Sequence, residues 1–320
     1  MSFRYTHATS LDEALTVLAA SGTLPVAGGS DLLPCYNDGI LAPTEVVDVR
    51  QVPELHDVVL HADGSASIGA AVSIADLAEH GALGERFPLL RDACASVGTP
   101  ALRNQGSLGG NLAQRHHCWY FRRGVGCFKR GGTHCAAVDG EHQYHGIVAD
   151  GTCRAVHPSD PAVALEVLDA SIQVARAGSA MRSLSLEQFY DGAATDPRRE
   201  AQLDAGDLIV AVHLPAASAG GTQHWEKLMQ RGAWDFALAS CAAQRRRDGS
   251  VRMALGGVAL HPWRVALSVE EDVAVGGLDD ESVDALAERA LYDAVPLAHN
   301  GFKVAMAQAL LRRAMRAIAS

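Results

Sequence analysis

Four cysteines lie close together in the middle of the chain, between Cys118 and Cys153. Their spacing is C-x8-C-x7-C-x17-C, and the first three lie within "CWYFRRGVGCFKRGGTHC". Cysteine thiolates bind zinc and iron–sulfur clusters. Structural zinc sites usually pair two cysteines two to four residues apart. That spacing does not occur here, although His116, His117 and His134 could complete a zinc site. The pattern therefore leaves a zinc ion and an iron–sulfur cluster both open.

Disulfide bonds are a third interpretation of these cysteines. The chain has seven cysteines, so at least one thiol stays unpaired in any scheme. The stretch "MSFRYTHATSLDEAL" has neither the apolar core of a signal peptide nor a twin arginine, which predicts a cytoplasmic protein. Because thiols normally stay reduced there, disulfides are the weakest of the three interpretations.

Basic side chains surround the clustered cysteines. They would offset the negative charge of a cluster held by four thiolates. These residues are Arg115, Arg122, Arg123, Lys129 and Arg130. The other three cysteines, Cys35, Cys94 and Cys241, lie in apolar helix- or strand-like stretches and are expected in the core. The histidines of "QRHHC" and "EHQYH" receive no role.

Two glycine turns could bind a phosphate. "VAGGSDLL" runs from Val26 to Leu33 and "SLGGN" from Ser107 to Asn111. Paired glycines let the backbone approach a phosphate closely, and consecutive N–H groups form anion-binding concavities. Each turn alone is also typical of a tight turn followed by a helix cap. Neither matches G-x-G-x-x-G or a Walker loop. Together they suggest two loops around one pyrophosphate, outside a Rossmann fold.

The composition is that of a globular chain. Its 320 residues are enough for two domains, with 48% hydrophobic and 20% charged residues. The net charge of −10 argues against a nucleic-acid partner. No apolar run approaches the length of a membrane span, so no membrane insertion is expected.

Helical and strand-like segments mix without strict alternation. A helix capped by Ser10, with Glu13 three residues later, is predicted near the N-terminus. "DPAVALEVLD" predicts a helix with Pro161 at its start, and "GFKVAMAQALLRRAMRAI" predicts a long final helix. The last third predicts three strands followed by two helices, and "AASAGG" beyond Pro215 predicts a linker. This mixture predicts an α+β fold.

Five motifs follow one another through nearly the whole chain. They are "PVAGGSDLL", "LRNQGSLGGN", "HPSDPAVAL", "EKLMQRGAWDFALAS" and "ALGGVALHPWR". This ordered set resembles the FAD-binding medium subunit of the xanthine dehydrogenase family of molybdenum hydroxylases, which includes carbon monoxide dehydrogenase and aldehyde oxidoreductases. The resemblance implies a two-part FAD-binding domain of the vanillyl-alcohol-oxidase (PCMH) type over residues 1–216. It implies a smaller C-terminal α+β domain, of the carbon monoxide dehydrogenase flavoprotein type, over residues 217–320.

The resemblance also implies which residues contact FAD. The first loop contributes Val26, Ala27, Gly28, Gly29, Ser30, Asp31, Leu32 and Leu33, and the second contributes Ser107, Leu108, Gly109, Gly110 and Asn111. Asp160 of "HPSD" takes the position of a cofactor-contacting aspartate, and Lys227 that of a lysine near the flavin. Lys227 alone is equally typical of a solvated strand lysine.

The chain departs from the ordinary medium subunit between "GGN" and "SD". About forty residues intervene, over residues 113–156, and they contain the four clustered cysteines. This cysteine-rich insertion is similar to one in 4-hydroxybenzoyl-CoA reductase and, more closely, in bacterial molybdenum aldehyde oxidoreductases, where it binds a 4Fe-4S cluster. The resemblance implies four cluster ligands, Cys118, Cys127, Cys135 and Cys153.

The implied function is that of an electron-transfer flavoprotein subunit. A molybdopterin-binding large subunit would oxidise an aldehyde or a heteroaromatic ring. A 2Fe-2S small subunit would pass the electrons to FAD, which would deliver them to an external acceptor. No catalytic side chain is expected, because the cofactor performs the redox chemistry. The alternatives are a self-sufficient FAD oxidoreductase and a zinc-stabilised binding module without flavin. A periplasmic location, reached with a signal-bearing partner, is the alternative to the cytoplasm.

Overall fold

The structure is a computed structural model that describes residues 2–148 and 152–319, with residues 193–195 described by their backbone only. Its strands are β1 Arg4–His7, β2 Thr23–Val26, β3 Glu45–Asp48, β4 Val58–Leu60, β5 Ala66–Gly69, β6 Ser171–Ala175, β7 Arg182–Ser185, β8 Leu208–Leu214, β9 Thr222–Leu228, β10 Ala239–Arg245, β11 Val251–Gly256 and β12 Trp263–Arg264. Its helices are α1 Leu11–Leu18, α2 Leu32–Asn37, α3 Ile74–Glu79, α4 Gly81–Arg86, α5 Pro88–Ala95, α6 Pro100–Gln105, α7 Leu108–Leu112, α8 Trp119–Arg122, α9 Ala136–Asp139, α10 Asp160–Val167, α11 Leu186–Thr195, α12 Leu267–Val275, α13 Asp280–Arg289 and α14 Phe302–Ile318. The predicted α+β class is confirmed.

A small parallel sheet, in the order β1-β3-β2, forms the N-terminal layer. Helix α1 packs on it because Ala14 and Leu18 lie on its buried face. The Oγ of Ser10 accepts the N–H of Glu13 at 3.2 Å, as predicted. The Glu13 carboxylate accepts the Thr9 N–H instead of completing the capping box. Strand β2 ends at Val26 and leads directly into the first glycine turn.

The second layer is a five-stranded antiparallel sheet in the order β4-β5-β8-β6-β7. Two antiparallel strand pairs, β4 with β5 and β6 with β7, lie in it. Its core includes Ile68, Ile172 and Val212 from the strands, together with Phe87 and Leu108 from the covering helices. The second glycine turn therefore begins from a buried position on this core.

The C-terminal part is a four-stranded antiparallel sheet, in the order β12-β11-β10-β9, covered by α14. Leu310, Leu311 and Met315 of α14 are fully buried against this sheet. Three helices follow the strands here, one more than predicted, because α12 was not recognised as a helix. None of the described helices is long and apolar enough to cross a membrane.

Helix α10 joins the two larger layers. It packs against α5 on one side and against β10 and β11 on the other. All but one of its eight residues are buried, so it has no polar face. Ser159 caps it by accepting the Ala162 N–H at 3.1 Å, and Pro161 stands in its first turn as predicted. This burial places Asp160, the first residue of α10, between the two layers.

The predicted linker after Pro215 is hydrogen-bonded to the core. Ser218 is fully buried. The side-chain amide of Gln244 on β10 donates to the carbonyls of Ser218 and Gly220, at 2.7 and 2.9 Å. The segment therefore connects β8 to β9 as an ordered turn, because its backbone carbonyls have fixed partners inside the protein.

The chain contains only three lysines against 24 arginines, and all three lysine side chains are buried. Lys303 is fully buried at the start of α14. Its Nζ donates to the carbonyls of Tyr144, His145 and Gly257, at 3.3, 2.9 and 2.6 Å. These contacts tie α14 to the cysteine-rich insertion. Burial lowers the pKa of Lys303 to about 7.

We expect Lys303→Met to change how stability depends on pH. Between pH 7 and 10 the unfolded chain holds a proton on Lys303 that the folded chain does not, so this residue makes stability rise with pH by up to about 1.4 kcal/mol per unit. Urea unfolding at pH 7 and pH 9 measures the effect. The unfolding free energy of the wild type minus that of the variant should be larger at pH 9 than at pH 7. A difference that is equal at both pH values would contradict the lowered pKa of Lys303.

Candidate functional site

The four clustered cysteines meet around one small cavity. Cys118, Cys127, Cys135 and Cys153 all line it, together with apolar and aromatic side chains. The cavity volume is about 10 Å³, the space of a single water-sized sphere. Three of the cysteines are buried and Cys118 is half-buried. Residues up to 35 positions apart along the chain are thus brought together as the sequence predicts.

All seven cysteines carry free thiols, so the disulfide interpretation is wrong for this structure. In residues 2–148 and 152–319, no group of three or more His, Cys, Asp or Glu side chains is arranged to hold a metal ion. Burial raises the pKa of Cys118, and it raises the pKa of Cys153 to about 12. Neighbouring thiols add to both rises. The group as it stands is a set of free thiols around a shared space.

The basic residues of the insertion have fixed partners inside the protein. The ring of Phe121 lies beneath three cations, those of Arg115, Lys129 and Arg130, at 5.0 to 5.8 Å from its centre. The Nζ of Lys129 donates to Glu200 at 3.0 Å. Only Arg123 is exposed among the five predicted cations. The positive charges that were expected to offset a cluster are therefore largely neutralised by carboxylates of this chain.

Glu200 anchors the insertion to the turn after α11. Arg115 and Lys129 pair with it at 2.7 and 3.0 Å, and His116 contacts it at 3.3 Å. Burial alone would raise the pKa of Glu200, but the hydrogen bond from His116 and these cations hold it well below its usual range. No sequence motif marks Glu200, because its contact with His116 joins residues 84 positions apart along the chain.

Two of the remaining histidines lie beside the cysteines. The Nε2 of His145 lies 3.3 Å from the Cys118 sulfur. His134 is exposed and pairs with Asp139 at the surface. Burial lowers the pKa of His145 to about 4, so its ring is neutral.

The first glycine turn presents a row of unused donors. The N–H groups of residues 28–32 donate to no acceptor in the described part of the chain. Gly29 has φ +69°, a conformation that favours glycine. A Cβ at Gly28 would lie 1.7 Å from the carbonyl oxygen of Gln105. Gly28 is therefore needed for the close approach of the two glycine segments. Ala27 and Leu32 are half-buried, and Ser30 and Leu33 are exposed.

Asp31 is turned away from the donors of its own turn. It precedes α2 but makes no side-chain cap. Its Oδ1 accepts from Nη2 of Arg122 at 2.7 Å, and its Oδ2 accepts the N–H of Arg115 at 2.8 Å. Both contacts come from the cysteine-rich insertion. The predicted site residue Asp31 is therefore held by the segment that carries the four cysteines.

The second glycine turn uses its donors internally. The N–H groups of Leu108 and Gly109 donate to the carbonyls of Val72 and Ala70, and that of Gly110 donates to Oγ of Ser107. Free N–H groups were expected here as in the first turn, and the structure differs because this segment pairs with residues 70–73, where Ser73 and Ser107 form an antiparallel bridge. Gly110 is exposed, so its surface remains open to a ligand.

Asn111 links the second turn to α10. Its Oδ1 accepts from Oγ of Ser159 at 2.5 Å. The predicted residues of the second turn and of "HPSD" are thus in direct contact.

Asp160 and Lys227 form a buried ion pair. Nζ of Lys227 lies 2.6 Å from Oδ2 of Asp160, with the side chains 3% and 7% exposed. Lys227 also donates to the Ser96 carbonyl at 3.0 Å. Burial raises the pKa of Asp160, and the ammonium of Lys227 opposes the rise. The interpretation of Lys227 as a solvated strand lysine is wrong, because both partners are enclosed by α5, α10 and β9.

A cavity of about 570 Å³ opens beside this ion pair. Asp160 and Ser240 line its inner part, and Cys118 lies in its wall as well as in that of the cysteine cavity. The loop between β9 and β10 encloses it from the other side, where Phe236 packs on His117 with ring centres 4.4 Å apart. The two cavities are therefore neighbours that share Cys118.

Several residues of this cavity were missed by the sequence motifs. Ser240 is fully buried beside the cavity, and its Oγ has no hydrogen-bond partner in the described residues. Trp119 and Tyr144 of the insertion also line it. The hydroxyl of Tyr144 donates to Gln230 of the β9–β10 loop. Such contacts join distant segments and leave no local signal.

Comparison with known proteins agrees with this geometry. The family described as FAD binding domain in molybdopterin dehydrogenase matches residues 1–217. The FAD-binding subunit PaoB of an aldehyde oxidoreductase from Escherichia coli K12 is 36% identical over 306 residues, which cover 95% of this chain and 93% of that subunit. The carbon monoxide dehydrogenase medium chain of Hydrogenophaga pseudoflava is 25% identical, over 98% of this chain and 96% of that one.

Solved structures share the fold. A chain of quinoline 2-oxidoreductase from Pseudomonas putida 86 superposes with a TM-score of 0.76 over 100% of this chain and 97% of that one, at 24% identity. A chain of carbon monoxide dehydrogenase from Hydrogenophaga pseudoflava gives a TM-score of 0.75 over 99% and 97%, also at 24% identity. The predicted PCMH-like fold is confirmed by these likenesses. This chain belongs to the FAD-binding medium subunits of the molybdenum hydroxylase, or xanthine dehydrogenase, family of oxidoreductases.

Proposed function

We propose that this chain is the FAD- and 4Fe-4S-containing electron-transfer subunit of a molybdenum hydroxylase. The observation that carries the proposal is the pair of neighbouring cavities, one lined by Asp160 of the predicted flavin residues and one lined by four thiols, which share Cys118. The name of the 36% identical relative, an aldehyde oxidoreductase subunit, supports an aldehyde as the substrate of the complex.

The residues around the larger cavity fit a flavin. A volume of about 570 Å³ is in the range of small-molecule sites. The free N–H groups of residues 28–32, which do not line this cavity, suit an anionic pyrophosphate. The ion pair of Lys227 with Asp160 and the unpartnered Oγ of Ser240 supply polar atoms beside the cavity. FAD supplies the electron-transfer chemistry when bound, while these residues bind and orient it.

The four thiols match the ligand number of the 4Fe-4S cluster that the resemblance implies for this insertion. No three of the described His, Cys, Asp or Glu side chains are arranged to hold one ion, yet the four thiols border one cavity. A zinc ion needs its ligands to converge at about 2.3 Å. A multi-atom cluster bridges thiols that lie farther apart. The cavity of about 10 Å³ has no room for a cluster as it stands, so the thiols would have to move outward to bind one.

The proposal also includes partners. The relatives are subunits or medium chains of larger enzymes. A molybdopterin-binding large subunit would oxidise the substrate, and a 2Fe-2S small subunit would deliver the electrons to this chain. An external acceptor would then receive them at the open side of the larger cavity. In this arrangement the residues of this chain bind cofactors and tune their charge, and they need no nucleophile or general base.

Anaerobic purification followed by a visible spectrum and by iron, sulfide and zinc analysis tests the proposal. We expect flavin bands above a broad brown absorbance, with about four iron atoms per chain, as a cubane held by four thiolates requires. Flavin with zinc and no iron would contradict the cluster. Absence of flavin would contradict the FAD site. Substrate oxidation by the isolated chain would favour the self-sufficient oxidoreductase over the electron-transfer subunit.

We expect Gly110→Val to release flavin without unfolding the protein. A Cβ at Gly110 meets only Oγ of Ser107, at 3.0 Å, and Gly110 is exposed, so valine would add bulk at a turn that we propose contacts FAD. Flavin content should fall at least about tenfold, which corresponds to 1.4 kcal/mol. Gly81→Val is the matched control, since nothing lies within 4 Å of its Cβ position. Full flavin occupancy in Gly110→Val would remove this turn from the FAD site.

We expect Cys127→Ser to lose iron while some FAD remains bound. Serine is a poor substitute for a thiolate ligand, and Cys127 does not line the larger cavity. Iron and flavin are measured on the same preparation. Cys94→Ala is the control, because Cys94 is buried in the core away from the insertion. Iron content that stays at the wild-type value in Cys127→Ser would exclude Cys127 from the ligand set.

A further inference from the structure

The cysteine-rich insertion contacts the first glycine turn through one side chain. Arg122 ends the short helix α8, which begins immediately after Cys118, and its backbone N–H donates to the Cys118 carbonyl at 2.9 Å. Its guanidinium crosses to Asp31, where Nη2 donates to Oδ1 at 2.7 Å. The Arg122 side chain is 12% exposed and that of Asp31 is 21% exposed. A proposed cluster ligand and the proposed pyrophosphate turn are thus one side chain apart.

Arg122 is fixed in place by more than this ion pair. Its Nε donates to the carbonyl of His116 at 2.9 Å, and its Nη2 donates to that of Arg115, also at 2.9 Å. Nη1 contacts the sulfur of Cys35, the buried cysteine of α2. The guanidinium therefore holds a single orientation, with contacts to both the insertion and α2.

The ion pair determines what the Asp31 carboxylate can do. An aspartate before a helix normally accepts N–H groups of the first turn. Here both oxygens are occupied by the insertion, through Arg122 and the N–H of Arg115. The N–H groups of residues 28–32 also have no acceptor in the described residues. Arg122 also neutralises a carboxylate that would otherwise repel a pyrophosphate.

We infer that Arg122 is a positioning residue through which the cysteine-rich insertion sets the affinity of the first glycine turn for FAD. It holds Asp31 away from the turn and compensates its charge. This inference rests on the proposed function, because it requires that the turn binds FAD.

The test is a comparison of FAD affinity in the purified chain, measured by titrating flavin-free protein with FAD and following flavin fluorescence. Arg122→Ala should bind FAD about tenfold more weakly or worse, because a hydrogen-bonded charge pair is lost. Iron content should remain near that of the wild type. Arg123→Ala is the matched control, since Arg123 is the exposed neighbour and its side chain makes no hydrogen bond or ion pair within the described residues. It should bind FAD as the wild type does.

A double-mutant cycle distinguishes positioning from general damage. Asp31→Asn removes the charge that Arg122 compensates, so Arg122→Ala in that background should cost less affinity than it does alone. If Arg122→Ala lowers iron content, the Asp31→Asn cycle is repeated with Arg122→Lys, which keeps the cation.

The outcomes separate this inference from the proposed function. A wild-type chain that does not bind FAD contradicts the proposed function itself. A wild-type chain that binds FAD, with Arg122→Ala within twofold of it, overturns only the role of Arg122. Additive losses in the Asp31→Asn cycle also overturn it, because they show that Arg122 does not act through Asp31.

Discussion

The ion pair between Asp160 and Lys227 is the contact on which the arrangement of the site depends. Helix α10 is enclosed on nearly all sides, so a carboxylate at its first residue must have a partner inside the protein. The partner comes from β9, in the C-terminal sheet, at 2.6 Å. The pair therefore fixes the relation between the five-stranded and four-stranded layers where the large cavity opens. Burial of charge is costly, and removal of one partner is more costly than the pair itself.

Local patterns predicted most elements of this fold. The Ser10 cap, the three C-terminal strands and the buried helix α10 all follow from residues that are neighbours along the chain. The glycine turns were predicted for their freedom to approach a ligand. The structure shows that Gly28 also allows one segment to approach another, and this could not be predicted because Gln105 lies 77 positions away.

The candidate site was less predictable than the fold. The four cysteines were recognised by type and spacing, and they do meet around one cavity. Their cations were expected to serve a cluster alone, whereas Lys129 and Arg115 pair with Glu200 and Arg122 pairs with Asp31. Each of these pairs joins segments more than 70 positions apart. Sequence spacing carries no information about them, because they result from how the insertion packs against the turns that surround it.

The scarcity and burial of lysine affect how this protein can be studied. Lys129, Lys227 and Lys303 are each enclosed and each bonded to oxygen atoms. Their amines have no access to a reagent in solution while the fold is closed. Amine-reactive dyes and cross-linkers would thus find no lysine target on the folded surface. Modification of a given lysine instead reports the opening of its own region: the insertion for Lys129, the junction of the two layers for Lys227, and the C-terminal helix for Lys303. The composition of the chain supplies three built-in probes of local unfolding.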